Sequence, residues 1–351
     1  MLLAALATAE RALPLYSHRY SPKKFTQHQL FACLVLKSFL KTDYRGLTAH
    51  LADCPSLLEV LKLDTVPHYT TLQKASCRLL AATPARRLLD ATVKDHMGRK
   101  RRVRRAAIDS TGLESSAASG YFVRRRERVG MPWKTVVYHH FPKLGVVCDV
   151  EAHFIIAARE DRGPKPDVAD FRPLLAAALA RVGIDRVVAD AGYDSEANHT
   201  FARQESRVRS IMPAKHGRPS KKPARGHYRR LMQTRFDRDA YRDRVQVETV
   251  MSMVKRRLEA FVRARSAWSQ RRELRLKVLT HNVMILLRVE VFYTAGRESL
   301  LARKLIRPKR SARSVSYGVD RYHLFVHCVQ DPVHAVDQLP HFSASGMRFR
   351  R

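Results

Sequence analysis

The chain has 351 residues and is 45% hydrophobic, which suffices for about two domains with a sizeable core and excludes wholesale disorder. Its 66 lysines and arginines against 32 aspartates and glutamates give a formal net charge of +34, and a compact protein with that excess needs a polyanionic partner to offset its self-repulsion. DNA and RNA are favoured over an anionic membrane, because no apolar run reaches the ~18 residues that span a bilayer and the amino terminus lacks the basic region of a signal peptide.

Residues 1–98 have the pattern of a chain of helices. Apolar residues recur at three- and four-residue spacing in several segments, and the predicted helices are Gln27–Leu40, Leu47–Ala52, Ser56–Leu61 and Thr70–Leu80. Thr70 or a neighbour is expected to cap the last of them. Short helices with a capped final member are compatible with a helix-turn-helix-like DNA reader. A helical bundle that dimerises fits the spacing equally well, so both roles stay open for this domain.

A basic block at residues 99–105 marks the start of a second predicted domain. It leads into Ala106–Asp109, a short apolar run ended by an acid, which predicts a buried strand with a carboxylate at its C-terminal end. Two further strands are predicted at Thr135–Phe141 and Gly145–Ala157, with a hairpin turn at Lys143–Gly145 between them.

Helices and strands alternate after that hairpin. The predicted elements are a helix, a strand, a helix, a strand and two helices, at Val168–Val182, Arg186–Ala189, Ser195–Gln204, Val208–Met212, Arg238–Phe261 and Gln270–Tyr293. Asp167 and Asp170 precede the first of these helices and are predicted to be charges on its N-terminal dipole. The whole order predicts an α/β fold with a mixed sheet flanked by helices. Residues 295–351 form a basic, weakly patterned tail.

Asp109 and Asp190 both end apolar strands. The carboxyl ends of adjacent strands are where α/β folds gather their active sites. Two acids side by side repel each other unless divalent cations lie between them, and Mg²⁺ or Mn²⁺ suits ligation by carboxylates alone. Two such ions can stabilise the attacking and leaving oxygens of a phosphoryl displacement. The pattern therefore predicts a metal site that includes both acids.

The long predicted helix offers a third carboxylate. At ~100° per residue, Tyr241, Arg244, Glu248 and Lys255 fall within an arc of roughly 60° beside the apolar face. Ion pairs on a solvated face fit this stripe as well as a site does. Glu259 lies on the same stripe, so spacing alone leaves Glu248 and Glu259 open as the third ligand.

The spacing Tyr241-x2-Arg244-x3-Glu248-x6-Lys255 resembles the YREK signature of bacterial insertion-sequence transposases with a DDE catalytic triad. Residues 107–111 and 188–193 resemble that family's first and second acid motifs, and the resemblance covers about residues 103–290. It implies a ribonuclease-H-like catalytic domain, which we delimit as residues 99–294, behind the all-α domain 1–98. It also implies a preference for Mg²⁺, with Mn²⁺ as a substitute, and favours Glu248 over Glu259.

The resemblance implies a DNA transposase in which Asp109, Asp190 and Glu248 are the catalytic, metal-binding acids. Such an enzyme cleaves at terminal inverted repeats and joins the freed 3′-OH to target DNA, while Tyr241, Arg244 and Lys255 hold DNA phosphates near the cut. Both ends must be held together, so a homodimer on double-stranded DNA is expected. One alternative is a catalytically inactive DNA-binding protein derived from a mobile element. Another is a ribonuclease-H-like nuclease for RNA hybrids or DNA junctions, for which so much positive charge is unusual.

Several other residues carry weaker expectations. The basic loop Lys215–Arg230, with Lys221 and Lys222, is predicted to contact the DNA backbone because it lies close to the Glu248 helix in sequence. Trp133 and Trp268 are predicted to pack in a core or hairpin rather than stack on bases. Asp194 is predicted to lie in the N-cap region of a helix rather than to be a ligand. Five scattered cysteines without a CxxC pair are typical of reduced thiols, so we expect a cytoplasmic, nucleoid-associated protein.

Overall fold

The computed structural model describes residues 1–115, 141–214 and 224–305, with side-chain surroundings through residue 287. Met1–Arg297 form one compact unit and Glu298–Arg351 a second. In the described part of the chain, no helix is both long and apolar enough to cross a membrane. Several predicted features lie outside the described residues, namely Trp133, Lys221, Lys222, most of the strand Thr135–Phe141 and most of the tail 295–351.

Helices occupy the first 98 residues, as predicted. They are α1 (Leu2–Ala12), α2 (Gln27–Phe39), α3 (Tyr44–Asp53), α4 (Pro55–Leu61), α5 (Tyr69–Leu79) and α6 (Ala82–Met97). A capping box between Thr26 and Gln29 starts α2, whose Phe31 and Leu34 are fully buried. The cap of α5 is His68, whose ring accepts a hydrogen bond from the backbone N–H of Thr70. Local signals therefore mark α2 and α5, whereas α1 and α6 begin without a side-chain cap and are not among the predicted helices.

A mixed five-stranded sheet follows the helices. The strands of the chain are β1 (Arg102–Gly112), β2 (Glu114–Ser115), β3 (Phe141–Asp149), β4 (Phe154–Gly163), β5 (Gly183–Ala189), β6 (Arg209–Ile211) and β7 (Phe261–Val262). The large sheet has the order β4-β3-β1-β5-β6, in which β4, β3 and β1 are antiparallel and β1, β5 and β6 are parallel. This is the ribonuclease-H-like arrangement that the resemblance implies. β2 pairs separately with β7.

Further helices follow β4 in the chain, and some of them pack on this sheet. They are α7 (Phe171–Leu179), α8 (Glu196–Thr200), α9 (His227–Thr234), α10 (Arg238–Tyr241), α11 (Arg244–Leu258) and α12 (Ala267–Leu305). α7 lies against β3 and β4, whereas α11 lies against β1. Short 3₁₀ turns at Asp167–Ala169 and Ala191–Tyr193 precede α7 and follow β5. The sheet interior between these helices is apolar, with Ile108, Val146 and Val187 fully buried.

The predicted hairpin turn at Lys143–Gly145 is wrong. These residues lie inside β3, and residues 150–153 form the turn that leads to β4. Lys143 resembles a turn residue in the sequence because lysine is usually exposed. Its side chain is only 6% exposed, since its ammonium forms ion pairs with Asp167 and Asp170. Likewise β1 begins at Arg102, so part of the basic block belongs to the strand rather than to a linker.

The single long helix predicted at Arg238–Phe261 is also wrong. α10 and α11 are separate helices, and Asp243 lies between them. Its carboxylate is 3.0 Å from a guanidinium nitrogen of Arg105 on β1 and 2.6 Å from one of Arg186 on β5. These ion pairs anchor the start of α11 to the sheet. Phe261 lies beyond the helix, in β7.

Candidate active site

Two parallel strands bring the first two acids to the same edge of the sheet. β1 and β5 pair with Ile108 opposite Ala189, and Asp109 and Asp190 are the next residues along the chain. β5 ends at this point, whereas β1 continues beside β3 to Gly112. The parallel register therefore places both carboxylates side by side, beyond the last paired residues of the two strands.

Backbone hydrogen bonds orient the two carboxylates. Oδ1 of Asp109 accepts a hydrogen bond from the backbone N–H of Ser110 at 2.8 Å. Oδ1 of Asp190 accepts one from the backbone N–H of Gly192, also at 2.8 Å, and so caps the turn Ala191–Tyr193. Neither carboxylate forms an ion pair with a described residue. Each acid is thus held in place while its charge is not neutralised by a direct partner.

The charges of two other acids act on the pKa of Asp109. Burial raises the pKa of Asp109 to about 6, and the charges of Asp190 and Glu248 add to the rise. The backbone N–H of Ser110 and the guanidinium of Arg244 act in the opposite direction. Carboxylates that shift each other's pKa in this way lie close together, and a cation bound among them would relieve the repulsion.

Glu248 comes from α11. The helix buries one face against the core, with Val247, Val250, Val254 and Leu258 all essentially inaccessible. The side chain of Glu248 lies off this face and is 50% exposed. Arg244, one turn earlier, lies 2.7 Å from its carboxylate. This ion pair occupies one carboxylate oxygen of Glu248 and holds that side chain near Asp109.

Tyr241 lies in α10, where the charges of the same three acids act on its phenol. Its ring packs against Phe236 with centroids 5.1 Å apart. Burial raises the pKa of its phenol; the positive charge of Arg244 opposes the rise, and the surrounding acids add to it. Lys255 is half-buried on α11, two turns beyond Glu248. Tyr241, Arg244 and Glu248 are therefore brought together although a break separates α10 from α11.

Glu259, the rival third acid, is engaged elsewhere. It ends α11 with φ at 73°, and its carboxylate lies 2.5 Å from the guanidinium of Arg263. Its side chain is only 14% exposed. The charges that act most on Asp109 include Glu248 and not Glu259. Glu259 is therefore paired with Arg263, whereas Glu248 is the acid of α11 whose charge acts on Asp109.

The donor set suits a hard divalent cation, but the ligands are not closed around one. Among residues 1–115, 141–214 and 224–287, no group of three or more His, Cys, Asp or Glu side chains is arranged closely enough to hold a metal ion. Three carboxylates supply the oxygen ligands that Mg²⁺ and Mn²⁺ prefer, and the raised pKa of Asp109 marks uncompensated negative charge. One carboxylate oxygen of Glu248 is paired with Arg244 in this arrangement.

Asp167 belongs to this edge, and the sequence pattern missed it. The hydroxyl of Ser110 donates a hydrogen bond to its Oδ1, and Nζ of Lys143 lies 2.7 Å from the same oxygen. A lone lysine within an apolar strand was the available clue, because a buried ammonium needs acidic partners. The expectation that Asp167 merely complements the dipole of α7 is therefore incomplete.

One further expectation is corrected and one is confirmed. Trp268 is 73% exposed, and the guanidinium of Arg271 lies 5.5 Å from its ring centre, so the predicted packing role is wrong. Asp194 lies in the N-cap region of α8, directly before the capping residue Ser195. The buried carboxylate of Asp194 lies 2.8 Å from the guanidinium of Arg229, which belongs to the predicted DNA-contacting loop and is thus paired within the chain.

Comparison with known protein families agrees with this geometry. A family model described as the transposase DDE domain matches residues 102–283, just over half of the chain. The chain belongs to the transposase DDE domain family. In this transposase the matched segment begins at the first residue of β1 and ends within α12. Asp109, Asp190 and Glu248 all lie inside it, and α1 to α6 precede it.

A solved structure adds little to the family match. This transposase is similar to the protein in the crystal structure of a pre-cleavage Mos1 transpososome, with 12% identity, 78% of this chain and 81% of that chain covered, and a TM-score of 0.21. A TM-score this low does not establish a shared fold. No curated protein matches the sequence. The family assignment therefore depends on the domain match, and the fold assignment on the strand order.

Proposed function

We propose that this transposase cleaves transposon ends and joins the freed 3′-OH to target DNA, with Asp109, Asp190 and Glu248 holding two Mg²⁺ ions, or Mn²⁺ as a substitute. One observation carries the proposal. The β1–β5 register sets Asp109 beside Asp190 without an ion-pair partner among the described residues, and the charge of Glu248 acts on the same site. Membership of the DDE family supports the same chemistry.

Each acid has a distinct part in this proposal. When bound, two cations stabilise the attacking and leaving oxygens of an in-line phosphoryl displacement. Asp109 and Asp190 are the rigid pair of ligands, because backbone hydrogen bonds and strand pairing fix them. Glu248 is the adjustable ligand, since it is half exposed on α11. No protein nucleophile is required, because positioning and electrostatics supply the catalysis.

Arg244 links DNA binding to completion of the site. A guanidinium binds phosphate through two parallel hydrogen bonds, so a DNA phosphate competes with Glu248 for Arg244. Once the phosphate engages Arg244, Glu248 is released toward Asp109 and Asp190. Tyr241 adds a phenol beside the same phosphate, and Lys255 a cation two turns further along α11. DNA arrival then both positions the substrate and frees the third ligand.

Partners and domain roles follow from this activity. We propose double-stranded DNA, as inverted repeats and as target, for the polyanion that the net charge of +34 needs. Residues 1–98 would bind DNA or dimerise, residues 99–294 carry catalysis, and residues 295–351 form a basic tail. Joining two ends requires both to be held at once, which favours a homodimer on DNA. A chromosomal substrate favours a nucleoid-associated protein in the cytoplasm.

Nicking of a supercoiled plasmid that carries the element's ends tests the proposal. Asp109→Asn and Asp190→Asn should lose Mg²⁺-dependent nicking while binding an end-containing duplex as tightly as the unaltered protein. Asp185→Asn is the matched control, because this acid pairs with Arg102 at the opposite edge of the sheet. It should nick normally. The proposal fails if either triad variant nicks at the normal rate. It also fails if the unaltered protein binds DNA but cuts nothing, as an inactive relic of a mobile element would.

A further inference from the structure

Asp167 connects the strand of Asp109 to the strand beside it. Its Oδ1 accepts a hydrogen bond from the hydroxyl of Ser110, the residue that follows Asp109 on β1. The same oxygen lies 2.7 Å from Nζ of Lys143 on β3, and Lys143 is paired with Gly112 of β1. One carboxylate oxygen therefore ties together two strands at the edge where the acids lie.

Lys143 holds that carboxylate in one orientation. Its side chain is 6% exposed, and its ammonium also contacts Oδ2 of Asp170 at 3.1 Å and the backbone carbonyl of Lys165 at 3.0 Å. Burial acts to lower the pKa of Lys143, but its hydrogen bonds with Asp167 and Asp170 outweigh burial and raise it. A buried ammonium with three acceptors has no freedom to rotate, so Asp167 is held as firmly as the strand itself.

The second oxygen of Asp167 faces the turn that bears Asp190. A Cβ placed on Gly192 would lie 3.5 Å from Oδ2 of Asp167 and 3.0 Å from Oδ1 of Asp190, so both carboxylates border this glycine. The buried amide of Asn198 joins the two turns as well. Its Nδ2 donates to the carbonyls of Val168 and Tyr193, both at 2.9 Å. The turn that contains Asp167 and the turn that follows Asp190 are therefore held together by shared contacts.

We propose that Asp167 is a positioning residue for the cation site: it fixes Asp109 and Asp190 relative to each other and thereby tightens divalent-cation binding. This inference depends on the proposed function, because it assumes that those acids bind cations. Asp167 acts through Ser110 on one side and beside Gly192 on the other, and it is distinct from the three acids of the family triad. A residue that only supported the fold would change stability and leave cation affinity unaltered.

Cation binding without DNA is the decisive measurement. The melting temperature of the full chain is followed across a Mn²⁺ titration. Fitting the stabilisation to RT ln(1 + [Mn²⁺]/Kd) gives the Mn²⁺ concentration for half-saturation of the site. Asp167→Asn keeps the shape and a hydrogen-bond acceptor but removes the charge. It should raise that concentration by about 10- to 100-fold, the range found when residues that orient metal ligands are altered. The affinity for duplex DNA should stay close to that of the unaltered protein. The melting temperature in EDTA should fall because the ion pair with Lys143 is lost, and each variant's Mn²⁺ response is measured from its own value in EDTA.

Ser110→Ala gives a second route to the same result. It cuts the link to Asp109 and leaves the Lys143–Asp167 ion pair intact, so it carries the test if Asp167→Asn fails to fold. It should weaken Mn²⁺ binding in the same direction. The double variant should add little to either single change, because both remove one connection. Fully additive effects would overturn the inference.

Asp161→Asn is the matched control. Asp161 lies opposite Lys143 on β4, but its carboxylate pairs with Lys165 at 2.7 Å. Its Mn²⁺ midpoint should stay within about twofold of normal, as for a change outside the site. Equal shifts in Asp161→Asn and Asp167→Asn, or no shift in the latter, would overturn the inference.

Asp190→Asn separates this inference from the proposed function. If Asp190→Asn loses the Mn²⁺ response while Asp167→Asn keeps it, only the positioning role is wrong. If the unaltered protein and Asp190→Asn respond alike to Mn²⁺, the proposed cation site fails and the positioning role fails with it.

Discussion

The charged side chains at the two ends of strands β1 and β5 differ in whether they form ion pairs within the chain. At the amino end, Arg105 and Arg186 share the carboxylate of Asp243, at 3.0 and 2.6 Å. At the carboxyl end, Asp109 and Asp190 accept backbone hydrogen bonds and pair with no cation in the described part of the chain. Charges that hold the fold together are matched within the chain. The two acids that we propose as cation ligands have no such partner among the described residues.

Loss of an acid of the proposed cation site should affect activity most. Glu248→Gln should slow metal-dependent nicking by about 1000-fold, since losing a ligand of the cation site removes several kcal/mol of transition-state stabilisation. Glu259→Gln breaks only the ion pair with Arg263 and should leave the rate within a few-fold of normal. Single-turnover rates on a labelled end duplex measure both. Loss of activity in Glu259→Gln alone would reverse the assignment of the third acid.

Loss of a matched acid should affect stability instead. Asp243→Asn leaves Arg105 and Arg186 without their shared carboxylate, and we expect the free energy of unfolding to fall by about 2 kcal/mol. This is below the cost of breaking a fully buried pair, because the side chain of Arg105 is 41% exposed. Asp239→Asn, which alters an exposed pair with Arg242, should change little. Urea unfolding in EDTA compares them, and equal stabilities would contradict the comparison.

The dependence of the free energy of unfolding on pH should report the charge of Asp109, which has no ion-pair partner among the described residues. Burial raises the pKa of Asp109 to about 6, above its ordinary value of 3.8. Without metal, the stability contributed by the protonated acid is present below about pH 4 and is lost as the pH rises toward 6. Asp109→Asn should therefore stabilise the metal-free protein by about 1–2 kcal/mol above pH 6 and change little at pH 4. A destabilised variant at pH 7 would refute this.

Asp149 lies on β3, opposite Ala106 near the start of β1. Its pKa shift should affect the stability of the protein in the direction opposite to that of Asp109. Burial acts to raise its pKa, but the hydrogen bonds from His96 and from the backbone N–H of Glu151 outweigh burial and lower it. Its stabilising contribution is present above the ordinary value of 3.8 and is lost as the pH falls below it. Asp149→Asn should thus destabilise the protein at pH 7. Urea unfolding between pH 4 and 8 follows both variants, and effects of the same sign would break the contrast.

The smallest expected effect concerns DNA contacts. Lys255→Gln should reduce the slope of log affinity against log salt by about 0.9, the value for one lost phosphate contact on duplex DNA. Arg102→Gln removes the same charge at the other end of the sheet, where it pairs with Asp185 at 2.5 Å. Its slope should match that of the unaltered protein. Fluorescence anisotropy of an end duplex across a salt series distinguishes the two, and identical slopes would remove Lys255 from the DNA contact.

The sequence pattern predicted the structure correctly where it depends on residues that are neighbours in the chain. The helix predicted at Gln27–Leu40 is observed at Gln27–Phe39, because apolar spacing and a Thr26 cap are both local. An apolar run that ends in an acid likewise predicts the strand positions of Asp109 and Asp190. The adjacency of those two acids follows from the parallel pairing that the order of elements implies.

Long-range ion pairs explain what the pattern missed. The turn predicted at Lys143 fails because its burial depends on Asp170, 27 residues away. The helix predicted across Asp243 is broken where that acid pairs with Arg105, 138 residues away. The predicted role of Asp167, a charge on the dipole of α7, is incomplete for the same reason, since its partners lie on β1 and β3. No local pattern encodes such partners, so these positions need the three-dimensional structure.

The parallel register of β1 and β5 also has a practical use. The closeness of Asp109 and Asp190 depends on that strand pairing and not on the length of chain between them. The turn at residues 150–153 lies in that intervening stretch, at the far end of the sheet, because Asp149 is paired with Ala106. A short peptide tag inserted between Glu151 and Ala152 should leave both acids where they are. That position would let a fluorophore report on assembly while the enzyme works.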